Sequence, residues 1–133
     1  MKLNFAIVCD NAFVDQNNRL SIIQTFNNIF AENFPAVHTR LTIVSSFSKE
    51  DKDTVKQEVR NFTKIIDPNG KQIAESVVEA RVAPDATQFI SYFNGLLLKE
   101  PGDYLIKIIL ENDNEVSLPL HVIRSGKNSA SAS

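Results

Sequence analysis

The stretch Asp67-Pro68-Asn69-Gly70-Lys71-Gln72-Ile73-Ala74-Glu75-Ser76-Val77-Val78-Glu79-Ala80-Arg81-Val82 decides the fold class. Its first four residues spell a turn, because Pro68 holds a fixed φ early in it and Gly70 accepts a positive one. After the turn, Ala74, Val78, Ala80 and Val82 share one face, while Glu75, Glu79 and Arg81 share the other. That is period two, the mark of a strand with one wet side.

The same rhythm recurs along the chain. Val116, Leu118, Leu120 and Val122 alternate with Ser117, Pro119 and His121, and Tyr104, Ile106, Ile108 and Leu110 alternate with a row containing Lys107. Isoleucine and valine outnumber leucine by 24 to 10, which suits a pleated surface. No segment of ten or more residues carries a 3.6-residue period. Turn residues separate the runs at Asp15–Asn18, Lys49–Asp53, Asp67–Gly70, Ala83–Asp85, Glu100–Asp103 and Asn112–Asn114. Seven to eight mostly antiparallel strands joined by short turns predict an all-β, two-sheet sandwich.

Two segments break the rhythm. Thr54 to Ile66 alternates poorly, which predicts a bulge near Asn61. Asn27 to Val37 does not alternate and reads as a crossing loop with room for a helical turn. The tail from Ser125 to Ser133 is small and polar and reads as disordered, leaving residues 1–124 as one domain.

Glu100-Pro101-Gly102-Asp103-Tyr104-Leu105-Ile106 resembles the tyrosine corner of immunoglobulin-type sandwiches, in which a Tyr opening a late strand hydrogen-bonds back upstream. The position two after Tyr104, a cysteine in true immunoglobulin domains, is Ile106, and the chain has no tryptophan. The resemblance therefore implies the architecture and not an antibody-type core. Several further segments together resemble a family of small bacterial proteins described only as a domain of unknown function. They are Cys9-Asp10, Phe34-Pro35-Ala36-Val37-His38, Asp67-Pro68-Asn69-Gly70, Asn94-Gly95, Pro101-Gly102-Asp103-Tyr104 and Pro119-Leu120-His121-Val122. That resemblance implies a bacterial source and supplies no activity, ligand or site.

Charge and motif content narrow the function. A net charge of -2, with acids and bases spread along the chain, argues against nucleic acid and anionic membranes. No apolar run approaches a bilayer span, and the apolar start is broken by Asn4 and Asp10. A lone Cys9 fits a reducing, cytoplasmic setting, and its spacing from Leu3, Phe5 and Ile7 places it on their face, as part of the core. Without secretion, Asn61-Phe62-Thr63 is a chance glycosylation triplet.

His38 and His121 lack the partners of a zinc site; His121 falls on a solvated row, and His38 is placed to steady its loop. No nucleophile elbow, phosphate loop or metalloprotease motif occurs, so no catalytic residue, cofactor or metal is assigned. Acidic turns at Asp51 and Asp53, and at Glu111, Asp113 and Glu115, keep calcium or a small ligand as the alternative reading.

The leading expectation is a non-enzymatic binding or assembly module, with a protein partner or further copies of itself. It acts through an outer sheet face or through the inter-strand loops, and its candidate interface residues are the outward apolar set Val77, Leu105, Ile109 and Ile123, which interrupts otherwise polar strand faces. Pro119, which cannot donate a ladder hydrogen bond, marks the last strand as an edge.

Overall fold

The computed structural model describes residues 1–111 and 115–126. Nine strands follow one another: β1 (Lys2–Val14), β2 (Leu20–Thr25), β3 (Asn28–Ala31), β4 (Ala36–Ser48), β5 (Glu58–Ile66), β6 (Gln72–Arg81), β7 (Ala86–Leu98), β8 (Gly102–Leu110) and β9 (Glu115–Arg124). They form a four-stranded sheet, β2-β1-β4-β7, and a five-stranded sheet, β3-β9-β8-β5-β6. Every pairing is antiparallel except that of β3 with β9.

Between the sheets lies an aliphatic core. Val8, Leu41, Ile43 and Phe93 meet Ile65, Ile106, Ile108 and Leu120 there, all buried. A second group at one end, Met1, Phe47, Val82, Phe89 and Leu110, is pinned by an edge-on Phe47–Phe89 contact at 5.8 Å. With no tryptophan and no disulfide, area burial by these side chains carries the fold. Tyr104 is buried, and its hydroxyl donates to the Glu100 carbonyl at 2.7 Å, so the tyrosine corner forms.

The predicted bulge near Asn61 is not there. Pairing of β5 with β6 is regular through Asn61, and the register slips instead between Ile65 and Ile66. Alternation fails for another reason: β5 points Asn61 and Thr63 into the core. Asn61 Nδ2 donates to Ser45 Oγ at 3.2 Å, Thr63 Oγ1 donates to Asn61 Oδ1 at 3.1 Å, and Thr63 also meets Ser91 Oγ at 3.2 Å. These bonds join β5 of one sheet to β4 and β7 of the other. A buried polar group must be satisfied, and here the opposite sheet does it.

The segment Asn27 to Val37 is also more ordered than its composition suggests. It contains β3 and no helical turn. The Ser125 amide donates to the Ala31 carbonyl, so order extends one residue into the expected tail. The remainder of that tail, from residue 127, and the turn at 112–114 lie outside the described residues.

β3 also changes the status of β9. It covers His121 to Arg124, so β9 is an edge only along its first half. The His121 amide points to the Asn27 carbonyl, and strand alternation aims the Pro119 nitrogen the same way, at the open part of that edge.

Cys9 is buried, but not between the sheets. A register shift between Leu3 and Phe5 turns β1 over, so Leu3 packs with the end cluster while Ile7 and Cys9 lie on the opposite face. There Cys9, Ala12 and Val44 form a separate cluster with Leu20, Ile22 and Ile90. β1 pairs with β4 as far as Cys9 and then with β2, carrying this hairpin over the outer face of the four-stranded sheet. Tyr92 Oη donates to the Ala12 carbonyl at 2.7 Å, and Thr42 Oγ1 to the Asp10 carbonyl at 3.0 Å, fastening it. Covered on both faces, β4 is buried without a break from Leu41 to Phe47.

Candidate interaction face and end cleft

The outer face of the five-stranded sheet is crossed by no other strand among the described residues and is organised in rows running across the strands. Val77 stands opposite Phe62, and Phe62 opposite Ile109. Two residues along, Glu75, Lys64, Lys107 and Ser117 form a polar row. Ile66, Leu105 and Pro119 form a second apolar row. Asp103 and His121 follow, with Asn28 beside His121, and then Phe30 stands opposite Ile123.

All four expected interface residues therefore lie on one face, and the rows divide them. Phe62 brings Val77 and Ile109 together. Leu105 sits about 13 Å along β8 from Ile109, at roughly 3.3 Å per residue. Ile123 belongs to a third place, beside Phe30. Val77 and Ile123 are 52% and 39% exposed, while Leu105 and Ile109 are half-buried by their neighbours. Phe62, Ile66 and Phe30 complete the surface and escape the sequence reading. The first two lie in the strand whose alternation is masked by inward polar residues, and Phe30 lies in the segment read as a loop.

Charge on this face is matched internally. Ion pairs join Arg81 to Glu58 at 3.7 Å, Arg60 to Glu79 at 3.9 Å, Lys64 to Glu75 at 3.7 Å and Lys107 to Glu115 at 3.8 Å. The hydrogen bond and negative charge of neighbouring Glu58 push the Glu79 carboxyl above its ordinary value. Asp103 Oδ1 lies 2.8 Å from His121 Nδ1, on the solvated row expected of His121. His38 sits beside the Phe26 ring at 5.7 Å, with its Nε2 buried and unpartnered by any described residue.

Of the carboxylates considered for calcium, Asp53, Glu111 and Glu115 have local roles, while Asp51 is exposed. Asp53 accepts from the Glu50 amide and pairs with the terminal ammonium at 3.1 Å. Glu111 accepts from the Arg60 amide, Glu115 pairs with Lys107, and Asp113 lies outside the described residues. Among the described residues no three His, Cys, Asp or Glu side chains gather as metal ligands would. Burial, reinforced by Asp10, pushes the Cys9 thiol up and makes it a poor nucleophile. Among the described residues no helix is long and apolar enough to cross a membrane.

At one end of the sandwich a cleft of about 550 Å³ opens between the β5–β6 turn and the β7–β8 connection. Asp67, Lys71, Ile73, Leu97, Lys99 and Glu100 are among its lining residues. The two turns are locked together. Asn69 Nδ2 donates to Glu100 Oε1 at 2.6 Å, and Pro68 packs so closely on Gly102 (φ 143°) that a β-carbon there would lie 2.8 Å from Pro68 Cγ. Gly95, at φ 69°, turns β7 over, so Phe93 before it and Leu96 and Leu98 after it all reach the core. Leu97 is left exposed beside Val37, its partner on β4.

Two packed, mainly antiparallel sheets and a formed tyrosine corner define the chain as an immunoglobulin-like β-sandwich. It belongs to the family of unknown function DUF6941, whose model matches residues 4–123. Among solved structures it is similar to an immunoglobulin-like protein from Pseudomonas aeruginosa, at 13% identity, a TM-score of 0.43, and coverage of 92% of this chain and 95% of that one. No curated protein matches it.

Proposed function

We propose that this domain is a non-enzymatic association module that uses the outer face of its five-stranded sheet, with a second copy of itself as the partner. The observation behind this reading is the set of apolar rows, Val77–Phe62–Ile109, Ile66–Leu105–Pro119 and Phe30–Ile123, left on a solvent-facing sheet. Four matched ion pairs cancel most of the charge on this face and leave Asp103 beside His121, so it offers little net charge to select an oppositely charged partner. A nearly neutral surface of alternating apolar and paired-charge rows can meet its own copy with little like-charge repulsion.

Charged rows interrupt the apolar ones, which places the contact among weak associations burying less than about 1,200 Å² in total. A cytoplasmic setting and a bacterial source accompany this reading, the first supported by the single buried thiol. Light scattering across a concentration series tests the proposal. Mass should rise toward a dimer, and Val77→Lys combined with Ile109→Lys should return it to monomer. A monomer at the highest attainable concentration, or a dimer indifferent to both substitutions, overturns it.

A further inference from the structure

The end cleft presents a different chemistry from the sheet face. Its acids are committed to the turns that build it. Asp67 Oδ1 accepts from the Asn69 and Lys71 amides at 3.0 and 2.8 Å, and Glu100 Oε1 accepts from Asn69 at 2.6 Å. Lys71 and Lys99 line the same cleft, and their ammonium groups have no partner among the described residues. Between them stands an apolar wall of Ile73 and Leu97, continued outward by Val37, which is 64% exposed.

The walls are preformed. The Asn69–Glu100 bond, the Pro68–Gly102 contact and the Tyr104 hydroxyl on the Glu100 carbonyl hold both turns before any ligand arrives. A volume of about 550 Å³ lies within the roughly 300–1,000 Å³ typical of small-molecule sites. Two uncommitted ammoniums beside an aliphatic wall match an anion with an apolar tail. The neighbouring carboxylates of Asp67 and Glu100 disfavour a multiply charged phosphate and leave a singly charged carboxylate as the better fit.

From this arrangement we propose that the cleft between the β5–β6 turn and the β7–β8 connection binds a carboxylate carrying a short apolar group. Lys71 and Lys99 take the carboxylate, and Ile73 and Leu97 take the tail. The site is separate from the sheet face and does not depend on association through it.

Amide resonances of the full chain, followed during titration with hexanoate, test this. Hexanoate should shift Ile73, Leu97 and Tyr104 saturably, whereas its neutral counterpart hexanamide and the tail-less acetate should bind at least about tenfold more weakly. The exposed double variant Lys71→Gln/Lys99→Gln should lose about the same factor, and Leu97→Ser should weaken hexanoate while leaving acetate unchanged. Shifts that do not saturate, equal binding of hexanamide, or a double variant that binds as before would each overturn the proposal. A short peptide ending in leucine, with a free or an amidated C-terminus, separates two sources of the same chemistry. Preference for the free-acid peptide over hexanoate assigns a peptide C-terminus, and the reverse assigns a small organic acid.

Discussion

The outer faces of the two sheets begin from similar residues and end differently. On the four-stranded sheet, Val44 and Ile90 point outward and are covered by the chain's own β1–β2 hairpin. On the five-stranded sheet, Val77, Phe62 and Ile109 point outward, no described strand crosses over them, and paired charges stand between the apolar rows. One face is closed by the part of β1 beyond Cys9 together with β2, because β1 serves two partners in turn, β4 and then β2. An outward apolar residue therefore says little until its cover is known. The same chemistry is core on one side and surface on the other.

Paired substitutions can break this contrast. Val44→Asp should cost about 3–5 kcal/mol, because an unpaired charge enters a closed cluster. Val77→Asp should change stability by no more than about 0.5 kcal/mol. Equal costs in urea unfolding would mean that the two faces are alike. Asn61→Ala, in the layer between the faces, should cost about 1–3 kcal/mol, since the Ser45 hydroxyl loses its partner in a buried site. A smaller loss would show that the inter-sheet bonds add little.

Tyr104→Phe removes only the hydroxyl that donates to the Glu100 carbonyl. It should cost about 1 kcal/mol and leave the spectrum of the covered face unchanged.

The smallest effect concerns acid. Burial opposes ionisation of Asp53, yet the Glu50 amide and the terminal ammonium outweigh it and hold the carboxyl below its ordinary value. The stability this contributes is complete above the ordinary carboxylate range and is lost as pH falls through the lowered value. Asp53→Asn should flatten that acid limb while leaving the five-stranded face as it was. An unchanged pH profile would remove Asp53 from the account.

Much of this was legible in the chain. Period-two alternation located most strands, Asp67-Pro68-Asn69-Gly70 gave the β5–β6 hairpin turn, and Tyr104 announced its corner. The outward placement of Val77, Leu105, Ile109 and Ile123 followed from counting by twos. Counting fails where a single residue slips, as between Leu3 and Phe5, because one step exchanges the faces of everything beyond it. It also fails where polar side chains face inward, as Asn61 and Thr63 do, and those two residues concealed Phe62 and Ile66. β3 was invisible because its pairing with β9 spans some ninety residues, and four residues are too few to show a period. The cleft was equally hidden, since the turns that build it are distant in sequence and Leu97 stands inside an unbroken leucine run.

The junction of Pro68 with Gly102 and of Asn69 with Glu100 has a practical meaning for anyone redesigning this end of the domain. The two connections behave as one cassette. A longer or bulkier loop inserted at either position has to be accompanied by a matched change at the other, and libraries that randomise one alone will mostly return misfolded clones. Randomised together on the intact sandwich, they become a paired-loop scaffold stapled by no intrachain disulfide.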